Sequence, residues 1–355
     1  MEVMDKVAKR VIIFMGVVLA LFILKAGSSV VIPLAIALFV FMLVSPLMEK
    51  LLKLKVPTVL AIAIILVLTT LFILFFVYVI IAMINVLVAE LPSYINKIAT
   101  FDEYISSWIR GVFNFTEDDL PSVISVLNID WAAQVKNIIS SLSSISASLV
   151  SDVAMVIVYL LFLLMEESTI FPKIRAAFPE SKNEASELVR SISRQTSRYL
   201  SVKILISLVT GVCFYIIAIL SHMDFPLVWG VLAFLLNFIP TIGSIVVTVL
   251  ATLMAAIQFM PHWGQVAVVF FGFLATEMIL GNVIDPKLQG VQLNMSPFVI
   301  LIMLAVWGYI WGIAGMFLAV PITCVLQVVC ASVDSLKPIS ILLSAGTHLE
   351  KEEEK

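Results

Sequence analysis

Long stretches of apolar residues, separated by shorter charged segments, run through the whole chain. A membrane-spanning helix needs roughly 20 mostly apolar residues, and three such stretches precede residue 90, at about Val11–Leu24, at Val30–Met48 and between Lys55 and Glu90. The third is uncharged and too long for one crossing, so we expect it to tilt or to project beyond the bilayer. Basic residues precede the first stretch, as in a secretory signal, but no A-x-A cleavage site follows, so we predict a retained helix.

Two polar regions divide the middle of the chain. Residues 90–143 are mostly acidic with scattered aromatic side chains, which predicts a small helical region outside the membrane, and a fourth crossing then runs to about Met165. Residues 166–199 are rich in Lys and Arg, and a fifth crossing, Leu200–Leu220, carries Lys203 in its first turn. Because cytoplasmic loops are enriched in basic residues, this pattern places the amino terminus and residues 166–199 in the cytoplasm and residues 90–143 outside. The carboxyl terminus is also expected in the cytoplasm, because each interpretation of the broken segments that follow ends the chain on that side.

The last third of the chain holds two long apolar runs with helix-breaking residues near their centres. These are Phe225–Met260, interrupted by Asn237, Pro240 and Gly243, and Pro297–Ser332, interrupted by Gly308, Gly312, Gly315 and Pro321. Between them lies an apolar helix that carries Glu277. Paired broken segments of this kind are typical of inverted-repeat transporters. Each run fits a re-entrant hairpin or a pair of short spans, and the competing interpretation is one kinked crossing.

These elements predict an all-α polytopic membrane protein. It would have about six full spans and two broken or re-entrant helical hairpins, giving seven or eight apparent transmembrane segments and an inverted-repeat-like C-terminal half. The predicted parts are N-terminal transmembrane helices (1–89), an extracytoplasmic helical region (90–143), a fourth transmembrane helix (144–165), a cytoplasmic basic amphipathic region (166–199), a transport core (200–335) and a cytoplasmic tail (336–355).

Composition supports the membrane interpretation and excludes several functions. Of all residues, 62% are hydrophobic and 13% are charged, and the mean hydropathy is +1.14, so lipid must solvate part of the surface. The net charge of −3 gives no reason to expect nucleic acid as a partner. The three cysteines all lie in apolar stretches, which indicates no disulfide or metal framework. We find no hydrolase, nucleotide-binding or metalloprotease motif, and expect neither enzyme activity nor a cofactor.

Polar and backbone-breaking residues within the transport core are the candidate functional residues. In lipid, irregular backbone is tolerated where it is buried in protein or lines a cavity. The candidates for substrate binding are Asn237, Glu277, Asn282, Asp285 and Gln289, and those that shape the backbone are Pro240, Gly243, Pro286, Gly290, Gly315 and Pro321. Structural interpretations compete: a proline kink with Asn237 bonded to a neighbouring helix, an interfacial position for Glu277, and a solvated loop around Asp285.

Three ordered motifs in the transport core resemble those of the autoinducer-2 exporter family of bacterial transporters. They are L-N-F-I-P-T-I-G at Leu236–Gly243, N-V-I-D-P-K-L-Q-G at Asn282–Gly290 and G-I-A-G-M-F-L-A-V-P at Gly312–Pro321. The resemblance implies a multi-pass protein of the bacterial inner membrane, homo-oligomeric with a pentamer as the candidate assembly, that moves its substrate by an elevator-like motion. It is strongest to the branch linked to autoinducer-2, a small polyhydroxylated quorum-sensing signal.

The leading functional hypothesis is export of autoinducer-2 or a similar small polar metabolite without chemical change. The first rival is a sodium (cation)/proton antiporter that uses Glu277 and Asp285. Family members associated with antiport resemble this chain but carry an acid just before the position of Asn282, where this sequence has Leu280 and Gly281. The second rival is a membrane scaffold or sensor that acts through residues 90–143.

Overall fold

The structure, a computed structural model, describes residues 2–116, 122, 130–177, 182–289, 295–332 and 336–345. Those residues form twelve α-helices, with a 3-10 turn at Leu91–Ser93, a π-helical turn at Leu280–Ile284 and no β-strand. The helices are α1 (Glu2–Ala26), α2 (Ser28–Lys53), α3 (Thr58–Glu90), α4 (Tyr94–Phe113), α5 (Trp131–Ala177), α6 (Lys182–Leu220), α7 (Pro226–Leu236), α8 (Ile242–Phe259), α9 (Trp263–Ile279), α10 (Asp285–Gln289), α11 (Pro297–Ser332) and α12 (Lys337–Leu343).

Seven stretches in the described part of the chain are long and apolar enough to cross a membrane. They lie at Ser28–Lys53, Thr58–Glu90, Ala133–Glu167, Arg190–Leu220, Ile242–Phe259, Trp263–Leu288 and Pro297–Ser332. Much of their surface is apolar and exposed, since their side chains face lipid rather than a protein core. The prediction of an all-α polytopic membrane protein is confirmed.

Polar and apolar stretches share single helices in the middle of the chain. The predicted junctions at residues 143 and 165 fall inside α5, which has 47 residues, and the junction at residue 199 falls inside α6, which has 39. Several serine hydroxyls near the start of α5 donate to carbonyls of their own helix, for example Ser141 to Asn137. Such bonds satisfy the polar side chains without ending the helix.

The chain divides into two compact units. Unit 1 comprises Met1–Thr70, Asp152–Ser201 and Gln289–Lys355, and unit 2 comprises Leu71–Ser151 and Val202–Leu288. A buried cluster of unit 2 joins α7, α8, α9 and the last turns of α6, and it includes Ala233, Ala251 and Ala255, which are fully buried. Small side chains of this kind let helices approach closely, which is the main source of packing energy in lipid.

The first broken run is a helical hairpin within unit 2. The backbone N–H of Asp224, just before α7, donates to Gln258 Oε1 near the end of α8, at 2.8 Å, and Gln258 Nε2 donates to the carbonyl of His222 at 2.9 Å. A single kinked crossing would separate Asp224 from Gln258 by about 50 Å at 1.5 Å per residue. The chain therefore reverses between α7 and α8, and the competing interpretation of one kinked crossing is wrong for this segment.

The second broken run is also a hairpin, within unit 1. Gly312, inside α11, has φ 62° and ψ −140°, a conformation that only glycine adopts at low cost. Met295, before α11, lies next to Cys324 in its second arm, with the two sulfur atoms 3.7 Å apart. Gly315 is needed for this reversal, because a Cβ there would lie 1.9 Å from the carbonyl oxygen of Trp307. Re-entry of either hairpin into the membrane from one side stays a prediction.

Candidate functional site

A side-chain hydrogen bond attaches the break between α7 and α8 to α6. Asn237 ends α7, is 6% exposed, and donates from Nδ2 to Ser207 Oγ at 3.0 Å. Gly243 opens α8 at a point where a Cβ would lie 1.8 Å from the carbonyl oxygen of Leu236, so no other residue fits. Asn237 is thus bonded to a neighbouring helix, as the structural interpretation of the sequence proposed. It is also buried next to irregular backbone, as the functional interpretation requires.

One turn earlier on α6, a buried ion pair joins the helix to α10. Lys203 Nζ lies 2.9 Å from Asp285 Oδ2, and the two side chains are 5% and 13% exposed. A buried charge is retained in an apolar environment only when it is paired and hydrogen-bonded. Since 82 residues separate the partners, the pair fixes the position of α10 against α6 and keeps two charges inside unit 2.

Glu277 is the second buried carboxyl group of this region. It is 7% exposed, its Oε1 atom has no hydrogen-bond partner, and both Lys203 and Asp285 interact with it electrostatically. The π-helical turn Leu280–Ile284 follows it. Such a turn holds one residue more than an α-helical turn, so Asp285 takes the position around the helix axis that residue 284 would have in an uninterrupted α-helix. That position lies seven residues, or almost two full turns, after Glu277. The side chains of Glu277 and Asp285 therefore lie on the same face.

The side of α6 that faces these groups is polar in an otherwise apolar segment. Lys203, Ser207 and Thr210 stand four and three residues apart, a spacing that puts them on one face of a helix, and all three are buried. We define the buried polar cluster of unit 2 as Lys203, Ser207, Asn237, Glu277 and Asp285. Sequence reasoning missed Ser207. The pattern that could have indicated it is the spacing i, i+4, i+7 of Lys203, Ser207 and Thr210 on α6. Such a polar pattern normally indicates a face exposed to solvent, whereas this face is buried.

The structure does not bring all predicted substrate-binding residues together. Asn282 lies in the π-helical turn with an exposed side chain, so it is not part of the cluster. Gln289 ends α10, its side chain lies outside the described part, and Gly290 lies outside the described residues altogether. Among the other predicted backbone-shaping residues, Pro240 lies half-buried in the α7–α8 connection, Pro286 is exposed on α10, and Pro321 is buried inside α11.

A second polar group lies at the base of the first hairpin. Asp224 accepts hydrogen bonds from Tyr94 Oη and from Lys97 Nζ, the latter at 2.8 Å. Burial, and then the neighbouring Asp224 carboxylate, raise the pKa of the Tyr94 phenol above its usual range. An open cleft of about 560 Å³ adjoins this group and is lined in addition by residues of α3 such as Met83 and Glu90. These bonds attach the first hairpin to α4 within unit 2.

Besides the Lys203–Asp285 ion pair, the buried polar cluster contains groups that could form hydrogen bonds with a ligand. The amide of Asn237 and the hydroxyl of Ser207 both donate and accept, and the free Glu277 oxygen can accept. No group of three or more metal-ligating side chains occurs among the described residues. Buried polar groups in a membrane-spanning region mark substrate or ion pathways, and paired hairpins with a polar site at the break are the architecture of secondary transporters. The fold and this cluster therefore define a multi-pass membrane transporter.

Comparison with known proteins defines the kind of transporter. The chain belongs to the AI-2E family of transporters, whose model matches residues 11–334. It is 33% identical to a Borreliella burgdorferi protein that carries a provisional transport-protein name, over 96% of this chain and 90% of that one. It is 27% identical to the AI-2 transport protein TqsA of Escherichia coli strain K12, over 94% and 95%. It is 28% identical to YhhT of the same strain, also provisionally named a transport protein, over 98% and 95%. The family and these relatives are transporters, which confirms that the chain is not an enzyme.

Proposed function

We propose that this transporter exports autoinducer-2, or a similar small polar signalling metabolite, across the bacterial inner membrane. The observation that carries the proposal is the buried polar cluster of unit 2, which places hydrogen-bonding groups inside an apolar helical unit of an AI-2E family transporter. The name of the TqsA relative supports the choice of substrate. The amino terminus would lie in the cytoplasm, as the distribution of basic residues predicts. The carboxyl terminus would lie there too, because each interpretation of the broken segments ends the chain on that side.

The hydrogen-bonding groups of the cluster favour a hydroxyl-rich substrate. Lys203 and Asp285 neutralise each other, so the groups left to recognise a substrate are those of Asn237, Ser207 and Glu277. Amide, hydroxyl and carboxyl groups match the donors and acceptors of a polyol. A site that bonds hydroxyl groups also rejects analogues without them, because its buried polar atoms would be left unpaired.

We propose an elevator-like motion in which one unit carries the substrate site. Two features support it: the chain divides into two compact units, and every residue of the buried polar cluster lies in unit 2. A body that moves with its site intact needs just such an internally bonded cluster. We further propose a homo-oligomer, with a pentamer as the candidate assembly, because an elevator requires a fixed partner in the bilayer against which one unit can move.

The second candidate function is sodium (cation)/proton antiport. The observation in its favour is Glu277, a buried carboxyl group with one oxygen unpartnered and with Asp285 within electrostatic range. Two carboxyl groups that interact in a buried site can exchange a proton for a cation. In this case Glu277 would hold the transported ion rather than a hydroxyl group of the substrate.

The test compares autoinducer-2 inside cells that lack the protein with cells that express it, using a reporter bioassay on cell extracts. Expression of the wild-type chain is expected to lower the internal signal, and Glu277→Gln is expected to abolish this effect. Ser141→Ala is the control, because that exposed hydroxyl bonds only to its own helix. All variants are compared at equal membrane abundance.

A parallel measurement separates the two candidates. Inverted membrane vesicles acidified by respiration receive sodium chloride, and a pH-sensitive dye reports proton release. If wild-type expression leaves internal autoinducer-2 unchanged, the export proposal fails. If sodium then releases protons in wild-type vesicles but not in Glu277→Gln vesicles, antiport replaces export as the function.

A further inference from the structure

Helices α6 and α9 run antiparallel inside unit 2, and two contacts fix their register. The rings of Phe214 and Phe273 are stacked with centroids 4.0 Å apart. Lys203, eleven residues before Phe214 on α6, pairs with Asp285, which lies twelve residues after Phe273. The two contacts are consistent with one register, because the π-helical turn absorbs one residue between Glu277 and Asp285.

This register places Thr210 opposite Glu277. Each residue lies four positions from its stacked phenylalanine, Thr210 before Phe214 and Glu277 after Phe273, so both are displaced by about 6 Å in the same direction along the helix pair. A step of four residues rotates a side chain by only about 40°. Both side chains therefore stay on the faces that α6 and α9 turn toward each other.

Thr210 differs from other hydroxyl residues in the spanning helices. It is 1% exposed, and its Oγ1 atom has no hydrogen-bond partner. Threonine and serine hydroxyls in a helix usually donate to the carbonyl four residues earlier, and this bond is present at Ser201, Ser221, Thr276 and Thr323. A buried hydroxyl without a partner is destabilising, so its presence at Thr210 favours a ligand at this position.

We propose that Thr210 and Glu277 form one hydroxyl-binding subsite between α6 and α9, which recognises a single hydroxyl group of the transported polyol. This inference rests on the proposed function and adds a substrate-binding residue, Thr210, that lies outside the three motifs at 236–243, 282–290 and 312–321. Four buried side-chain atoms lack a hydrogen-bond partner in the described part of the chain, and the subsite accounts for the two that lie in unit 2, Thr210 Oγ1 and Glu277 Oε1.

The chemistry of the two groups fits one ligand hydroxyl. The ligand hydroxyl donates its hydrogen to Glu277 Oε1 and accepts a hydrogen bond from the Thr210 hydroxyl, so one guest group satisfies both atoms. On the α9 side, the residue next to the Glu277 carboxyl is Gly281, where even a Cβ would lie 3.4 Å from Oε2. A side chain at this position would pack against the Glu277 carboxyl, and glycine leaves that volume free.

The experiment measures binding of D-ribose and autoinducer-2 to the purified full-length protein through ligand-induced thermal stabilisation. Thr210→Val removes the hydroxyl but keeps the shape, and Thr210→Ser restores it. The matched control is Thr323→Val, because Thr323 is equally buried but bonds to the carbonyl of Ala319. We expect Thr210→Val to weaken binding about ten-fold, the value of one buried hydrogen bond. Thr210→Ser should stay within about two-fold of wild type.

Deoxy analogues locate the contact on the ligand. One analogue of ribose that lacks a single hydroxyl should bind wild type about ten-fold more weakly but bind Thr210→Val no worse than ribose does. If every analogue loses affinity equally in both proteins, or if Thr323→Val matches Thr210→Val, the subsite holds an internal water only and the inference is overturned. The inference is also overturned if no polyol stabilises the wild-type protein.

Failure of the proposed function gives a different pattern. If autoinducer-2 is not exported from cells but ribose binding depends on Thr210, the subsite stands and the export proposal falls. If export is observed and Thr210→Val binds and exports as wild type does, the function stands and the subsite falls.

Discussion

Asp285→Asn tests the energetics of the ion pair that Asp285 forms with Lys203. The substitution keeps the shape of the side chain and removes its charge, which leaves the Lys203 ammonium buried 2.9 Å from a neutral amide oxygen or nitrogen. At that distance and an effective dielectric constant of about 20, the lost Coulomb attraction is about 6 kcal/mol. Removing one partner of a buried pair costs about 3–5 kcal/mol in practice. Because Glu277 also interacts with Lys203, we expect the free energy of unfolding to fall by an amount near the lower end of that range.

Unfolding of the purified protein is followed by tryptophan fluorescence as dodecyl sulfate replaces the mild detergent in mixed micelles. The control is the double variant Lys203→Met/Asp285→Asn, which removes both charges. It should recover most of the lost stability, because neither member of the pair then remains as a buried charge without its partner. A loss below about 1 kcal/mol for Asp285→Asn, the value of an exposed pair, would refute the burial argument. So would a double variant no more stable than the single one.

Three further predictions concern the hairpins and their attachment. Gly243→Ala should abolish recovery of folded protein in size-exclusion chromatography, because its Cβ would lie 1.8 Å from a backbone carbonyl, whereas Gly264→Ala, with open space around it, should behave as wild type. Gly312→Ala should lower the free energy of unfolding in dodecyl sulfate by about 1–3 kcal/mol, the cost of its positive-φ conformation for a side chain. Because the pKa of Tyr94 is raised, the folded state keeps a proton that the unfolded state loses, so wild-type stability should fall as the pH rises above about 10. Tyr94→Phe should fall less over the same range; equal losses would contradict the assignment.

The main architectural features could be predicted from the sequence because they follow from local chemistry. Apolar stretches of spanning length, and Gly and Pro at the centres of the two broken runs, are visible without any partner. Gly243 and Gly315 each lie where a Cβ would overlap a backbone carbonyl, so the breaks at these residues are a direct steric consequence of their sequence. The reversal at Gly312 could be anticipated for the same reason, since only glycine accepts its backbone conformation.

The site could be predicted only in part, because its partners are distant in the sequence. Nothing local indicates that Lys203 pairs with a residue 82 positions away, or that Asn237 bonds to Ser207. Glu277 and Asp285 share a face because of the π-helical turn, and no residue pattern in the sequence indicates that turn. Asn282 was a reasonable candidate because its amide lies three residues before Asp285 in the same motif, but its position on the π-helical turn exposes the side chain.

The length of α7 has a consequence for how the protein is made. Its 11 residues extend about 17 Å, well short of the roughly 30 Å hydrocarbon core of a bilayer. The insertion machinery cannot release such a segment into lipid as an independent helix, because its backbone ends would stay unsatisfied at membrane depth. If the hairpin enters the membrane as predicted, α7 would therefore remain at the translocon until α8 has been synthesised and can pack against it. In that case, truncation of the nascent chain before residue 259 is expected to leave α7 outside the bilayer.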